Sequence, residues 1–250
     1  MCEMRLRTIP LHEAALFLDL DGTLAPIVER PHYVGPDRRR NALLKRVQDC
    51  LSGRVAVISG RVVDDVDRIL AGAIKCVAGV YGLQRREADG KILMTAPHPL
   101  LDRVYDVMDD FTKSRPDLVL EFKLLSVALH YRQSPQSAHE VLTLARRLAW
   151  ATGLRLQQGR MVVELRSVGS DKGMTVGSYM ARPPFDGATP IFIGDDMTDE
   201  DGFAAATEAG GIGVLVGDRR DTHAHVNLAS VDDVLAWLSE SLARGYFDFA

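Results

Sequence analysis

Phe17-Leu18-Asp19-Leu20-Asp21-Gly22-Thr23-Leu24 closes an apolar run that begins at Ala14. A short hydrophobic strand runs out here into a Gly-Thr turn, with two aspartates one residue apart at its end. In an open α/β sheet the carboxyl ends of the strands are where ligands bind. Carboxylates held that close repel, so one needs a cation or the other needs a proton. An Asp-Gly turn after a strand also arises for purely local reasons, and the pair alone does not choose between these readings.

Three later segments tip the balance towards chemistry. Val55-Ala56-Val57-Ile58-Ser59-Gly60-Arg61 is a second β-rich run, ending in a hydroxyl and a glycine. Ser170-Asp171-Lys172-Gly173 places a lysine ahead of a helical pattern. Pro190-Ile191-Phe192-Ile193-Gly194-Asp195-Asp196-Met197-Thr198-Asp199-Glu200-Asp201 is a third strand that ends in an acid cluster. Four such signals in one chain order are far less expected by chance than any one alone.

Composition is that of an ordinary enzyme. The chain has 250 residues, 46% hydrophobic and 26% charged, enough to bury a good core as one large domain or two small ones. A net charge of -4 gives no electrostatic reason to expect nucleic acid. Arg38-Arg39-Arg40 precedes a helical pattern and is expected to be a solvated helix start. Cys2, Cys50 and Cys76 are scattered and form neither a disulfide framework nor a metal ligand set. The apolar run at 14–18 is too short for a signal segment or a membrane span. The expectation is a soluble, cytoplasmic, monomeric protein with reduced thiols and no membrane or nucleic-acid partner.

Strands are expected near 15–19, 54–58, 76–80, 190–194 and 212–216, with helices at 37–50, 62–70, 173–181, 199–207 and 231–243. This alternation predicts an α/β fold with a parallel sheet and right-handed crossovers. One stretch breaks it. A helix at 99–113 precedes strands at 118–124 and 126–132, and a helix at 135–150 precedes strands at 154–158 and 161–166. Helix-strand-strand repeated twice predicts a small antiparallel α/β cap domain at 98–169, inserted into a core formed by 1–97 and 170–250. Strand parity places Glu121 and Lys123, His130 and Arg132, and Glu164 and Arg166 on one polar face. Such a face is either a solvated sheet surface or part of a site.

The motif order resembles the haloacid dehalogenase-like (HAD) phosphatases: a D-x-D-G-T loop, a Ser/Thr after the second strand, a downstream Lys, and an acidic G-D-D-x-x-D loop. The finer text is similar to one branch, the trehalose-6-phosphate phosphatases. That match rests on Asp19 to Ile27, Ile58-Ser59-Gly60-Arg61, Ala128-Leu129-His130-Tyr131-Arg132, Val163-Glu164-Leu165-Arg166 and Gly194 to Asp201. The resemblance implies a Rossmann-like HAD core with an inserted cap, and Mg2+-dependent hydrolysis of trehalose 6-phosphate.

A phosphate ester brings about two negative charges, so an anionic nucleophile needs a hard cation such as Mg2+ beside it. By resemblance Asp19, the Asp21 carbonyl and Asp195 hold that ion, with Asp196 and Asp199 behind them. Asp19 attacks phosphorus and forms an aspartyl-phosphate. Asp21 protonates the leaving oxygen and later activates water. Ser59 and the backbone after it bind the phosphoryl oxygens, and Lys172 offsets their charge. Asp19, Leu20, Asp21, Ser59, Gly60 and Arg61 thus surround the phosphate, while Glu121, Lys123 and Glu164 grip sugar hydroxyls. His130 and Arg132 are expected to brace that face.

One loop departs from the pattern. Where the family often has Gly-x-His-Gly-x-Glu, this chain reads Gly79-Val80-Tyr81-Gly82-Leu83-Gln84. If these positions touch sugar, the substrate changes. Another sugar phosphate, such as sucrose phosphate or a hexose phosphate, and a sugar-phosphate sensor without turnover are the alternative readings. The intact Asp19, Asp21, Lys172 and Asp195 argue against the sensor.

Overall fold

The central strands are apolar at every position because both faces of their sheet are covered. The computed structural model describes residues 8–249, so Cys2 lies outside the described residues. Six parallel strands stand in the spatial order Val226–Leu228, Ile212–Val216, Thr189–Gly194, Ala14–Leu18, Val55–Ile58 and Cys76–Gly79. Alternate residues feed two separate cores. Leu16, Leu18, Val57 and Ile193 pack on one face with Leu44, Val66 and Val234 from helices Arg38–Cys50, Val63–Leu70 and Val231–Arg244. Phe17, Ile58, Ala78 and Phe192 pack on the other with Val176 and Phe203 from helices Lys172–Met180 and Glu200–Glu208. This is a doubly wound sheet, as the alternation predicts.

In chain order the parallel strands run 3-2-1-4-5-6 from one edge to the other. The connections therefore reverse direction between Ala14–Leu18 and Thr189–Gly194, and that switch point is where open sheets bind ligands. Asp19 follows the first of these strands and Asp195 the second. The Asp19 amide donates to the Ile193 carbonyl at 2.9 Å, which fixes the two strand ends side by side.

A second, antiparallel sheet has the order Val119–Phe122, Ser126–His130, Val162–Arg166 and Arg155–Gly159. Its apolar face, with Val127, Leu129, Val163 and Leu165, packs on Val104 and Met108 of helix Leu101–Thr112 and on Val141 and Ala145 of helix Ala138–Thr152. A small cluster of Val80, Leu83 and Leu125 joins the two sheets.

Several details differ from the sequence reading. A hairpin, Gln84–Arg86 and Ile92–Met94, extends the parallel sheet antiparallel, and short strands Thr8–Pro10 and Tyr246–Asp248 pair apart from it. These three-residue segments carry too few positions for a period to register. Arg40 is buried rather than solvated: its guanidinium donates to the carbonyls of Ile69 (2.8 Å) and Gly35 (3.1 Å), tying two helices together. The strand expected to reach 124 stops at Phe122, because Leu124 adopts φ 65° in the hairpin turn that carries Lys123. Among the described residues no helix is long and apolar enough to cross a membrane.

Candidate active site

Helix Lys172–Met180 begins at its lysine because Asp171 caps it, accepting from the Met174 amide at 2.8 Å. The cap delivers Lys172 to the switch point, where its Nζ donates to Asp19 Oδ1 at 2.7 Å and Asp199 Oδ1 at 2.5 Å. All three side chains are buried. Burial opposes the lysine's charge, but Asp19 and Asp199 more than offset it and hold its pKa above the ordinary range. Asp19 is pushed the other way: burial raises its carboxyl well above the usual range, only partly countered by Lys172.

Asp195 lies against the turn after Asp19. A Cβ on Gly22 would fall on its carboxyl group, and Gly22 itself sits at φ +92°, so both space and backbone demand glycine there. Asp199 Oδ2 accepts the amides of Asp195 (3.0 Å) and Asp196 (2.9 Å) and shapes this loop. Burial, then repulsion by Asp199, push the Asp195 carboxyl up to about 7. Asp19, Asp195 and Asp199 each place a carboxylate oxygen within 4.8 Å of the others. Asp195 Oδ1 is buried without a hydrogen-bond partner. Clustered oxygen donors, one of them unsatisfied, suit a hard divalent cation that takes carboxylate ligands.

Asp21 has a different neighbour from the one the sequence suggested. Its carboxylate is held bidentately by Arg61, Nε to Oδ2 at 2.6 Å and Nη2 to Oδ1 at 2.8 Å. Arg61 is also paired with Asp65, one helical turn on, and donates to the Pro31 carbonyl at 2.9 Å. Ser59 is buried, and its Oγ accepts the Arg61 amide at 3.2 Å. Ser59, Gly60 and Arg61 line one cleft with Asp19, Asp21 and Lys172. Leu20 is fully buried. Asp196 lines the same cleft and also reaches the second sheet: its Oδ2 accepts the Arg160 amide at 3.3 Å, and its Oδ1 caps the turn at Met197.

The polar face of the antiparallel sheet forms the opposite wall of that cleft, a cavity of about 150 Å³ lined by Glu121, Lys123, His130, Arg132 and Glu164. Lys123 Nζ donates to Glu164 Oε2 at 3.3 Å and to the Gly60 carbonyl at 3.2 Å. Burial opposes its charge, but Glu164 and Glu121 outweigh that and keep it a cation. Burial also pushes the Glu121 carboxyl up, yet the hydrogen bond from His130 at 3.1 Å and the charge of Lys123 bring it down to about 2. Arg132 donates to the Val28 carbonyl at 2.8 Å.

Some residues at the site were not singled out from sequence. Ser126 donates to Glu164 Oε1, and Asp65 anchors Arg61. An Arg-to-Asp spacing of four at a helix start was the available signal for Asp65; Ser126 carried none. The departing loop divides. Gln84 Oε1 accepts the Val63 amide at 3.0 Å, at a helix start with no other side-chain cap, and lies outside the cleft. Tyr81 lines the cleft and donates its hydroxyl to Glu164 Oε2 at 3.1 Å.

A doubly wound core with an acid cluster and a lysine at its switch point, facing a second, antiparallel sheet, is a fold shared with a haloacid dehalogenase-like hydrolase. A haloacid dehalogenase-like hydrolase from Bacteroides thetaiotaomicron superposes with TM-score 0.64 over 93% of this chain and 99% of the other at 16% identity, a likeness of fold alone. The chain belongs to the trehalose-phosphatase family, whose model matches residues 17–233. The trehalose-6-phosphate phosphatase of Escherichia coli (strain K12) is 38% identical over 228 residues, 90% of this chain and 85% of the relative. The crystal structure of a trehalose-6-phosphate phosphatase related protein superposes with TM-score 0.79 at 25% identity, covering 92% of this chain and 97% of the other.

Proposed function

We propose that this protein hydrolyses trehalose 6-phosphate to trehalose and phosphate through an aspartyl-phosphate on Asp19. The observation that carries the reading is the single cleft in which buried Asp19 and Lys172 face Glu121, Lys123 and Glu164. A phosphoryl group fits the first pair by charge, and a polyhydroxylated leaving group fits the second set by hydrogen bonding.

Asp19 is the nucleophile: its carboxylate oxygen bonds to phosphorus as the bond from phosphorus to the sugar oxygen breaks. Lys172, fixed on Asp19 Oδ1, keeps the carboxylate oriented and offsets charge gathering on the phosphoryl oxygens. The Ser59 hydroxyl and the backbone that follows bind those oxygens. Asp21 gives a proton to the leaving sugar oxygen, then takes one from the water that attacks the aspartyl-phosphate and releases phosphate and free Asp19. Asp21 is engaged by Arg61 in the structure. An arriving phosphate competes for that guanidinium and frees the carboxyl to carry its proton.

Mg2+ is the proposed cofactor. Asp19, Asp195 and the Asp21 carbonyl would hold it, and Asp199 and Asp196 would order the loop behind it. When bound it supplies positive charge that lets two anions meet. Residues 98–169 act as the cap that reads the sugar. The proposal carries with it a cytoplasmic monomer acting on a small sugar phosphate, without nucleic-acid or membrane partners.

Phosphate release from a panel of sugar phosphates, with Mg2+ and with EDTA, tests this. Strong preference for trehalose 6-phosphate, lost on chelation, is expected. Preference for sucrose phosphate or a hexose phosphate would move the specificity. Tight binding with no release from any of them would replace the enzyme by a sensor.

A further inference from the structure

Glu164 is the most heavily engaged acid of the cap wall. Its two oxygens receive three donors: Ser126 on Oε1, and Lys123 and Tyr81 on Oε2. A carboxylate offers about four acceptor positions, so about one is left for a sugar hydroxyl. Ser126 and Lys123 belong to the cap. Tyr81 comes from the core, 83 residues away in sequence.

The core builds Tyr81 rigidly. Val80 and Tyr81 are consecutive non-glycine residues in the left-handed region, at φ 47° and 57°, a costly conformation that the surroundings must impose. The Tyr81 amide donates to the Ser59 carbonyl at 2.9 Å and the Val80 amide to the Arg61 carbonyl at 2.9 Å, so the turn is clamped to the phosphate loop. The hydroxyl rests on that same loop: a Cβ on Gly60 would lie 2.7 Å from it. From above, the guanidinium of Arg166 stands 5.3 Å from the ring centroid and donates to the Ser170 carbonyl at 2.5 Å, in the segment that leads back to Lys172. Arg166 is fully buried with Nε and Nη2 without hydrogen-bond partners, and its guanidinium lies within cation–π reach of the ring. Burial, then the Glu164 charge, hold the phenol well above its usual range, so the donated proton stays in place.

We propose that Tyr81 is a positioning residue that pins the cap strand Val162–Arg166 to the phosphate loop through Glu164 and Arg166, and thereby sets selectivity for a sugar phosphate over a small phosphate ester. The inference rests on the phosphatase reading above. It assigns the departure at position 81 to holding the cap, and leaves Gln84 as a helix cap.

The test compares Tyr81→Phe with wild type on trehalose 6-phosphate and 4-nitrophenyl phosphate, alongside hydrogen–deuterium exchange of the substrate-free protein. The expected result is a rise of about tenfold in KM for the sugar phosphate, the size of one hydrogen bond to a charged group. The kcat should change less than about twofold, the ratio of the two specificity constants should fall about tenfold, and exchange should rise over residues 157–170. In a double-mutant cycle with Glu164→Gln the second change should add little. An unchanged KM with unchanged exchange would overturn the pin. So would equal losses on both substrates, which denote a general structural role. If wild type releases phosphate from no sugar phosphate, the phosphatase reading fails by itself, and the exchange comparison still decides for or against the pin.

Discussion

The two walls of the cleft handle charge in opposite ways. On the core wall Asp19, Asp199 and Lys172 are buried and crowded, and two of the carboxyls, Asp19 and Asp195, are driven far above their ordinary range. On the cap wall Glu121 and Lys123 have partners of opposite sign that keep both ionised. The first arrangement is short of positive charge, which a divalent cation can supply, and groups perturbed in this way mark reacting centres. The second is already balanced and offers hydrogen bonds, which is what recognition needs. Rate and selectivity are therefore expected to reside on separate walls.

The harshest break of this division is Asp19→Asn. It should lower turnover of every phosphate ester by at least about 10⁴-fold, as loss of a nucleophile does, with circular dichroism unchanged. Turnover that survives would remove Asp19 from its role. Lys172→Ala comes next, with a loss of about 10²–10³ in kcat. It also leaves Asp19 and Asp199 without their buried cation, at a cost of about 3–5 kcal/mol, so the melting temperature should fall as well. An active, equally stable variant would contradict the buried pairing.

The acid cluster makes a pH prediction of definite sign. In the metal-free protein Asp195 holds its proton up to about 7, whereas its unperturbed value is 3.8. The folded state thus binds more protons between these values, and stability from this group is full below 3.8 and lost as pH rises towards about 7. Metal-free Tm should decline over that window. Mg2+ should raise Tm by several degrees at about pH 8 and by less at about pH 6, where protons compete for the ligands. Asp195→Asn should flatten both trends, and a profile that it leaves intact would show that the cluster is not their source.

The smallest effect separates the two departing residues. Gln84→Ala should cost about 1 kcal/mol by uncapping the helix Val63–Leu70 and leave KM unchanged. A changed KM would return Gln84 to the sugar site.

How much of this was legible depends on sequence distance. Asp19, Ser59, Lys172 and Asp195 each end a strand or start a helix, so local pattern and chain order located them. The cap's polar face followed from a period of two, because its antiparallel strands bury one side only. Contacts between elements left no such trace. The pairing of Asp21 with Arg61 spans 40 residues, and that of Tyr81 with Glu164 spans 83. Nothing local distinguishes a tyrosine that reaches the cap from one that packs in the core. Arg40 was misread for the same reason: its partner, the Ile69 carbonyl, is a backbone group on another helix.

Specificity constants for trehalose 6-phosphate and 4-nitrophenyl phosphate, measured on wild type and Lys123→Ala with Mg2+ present, test the division of labour most directly. The account predicts a loss of about 10²-fold or more on the sugar phosphate, as when charged hydrogen bonds to hydroxyls are removed, and a several-fold smaller loss on the aryl ester. Equal losses on both would contradict it, and the cap would then serve the chemistry rather than the choice of sugar.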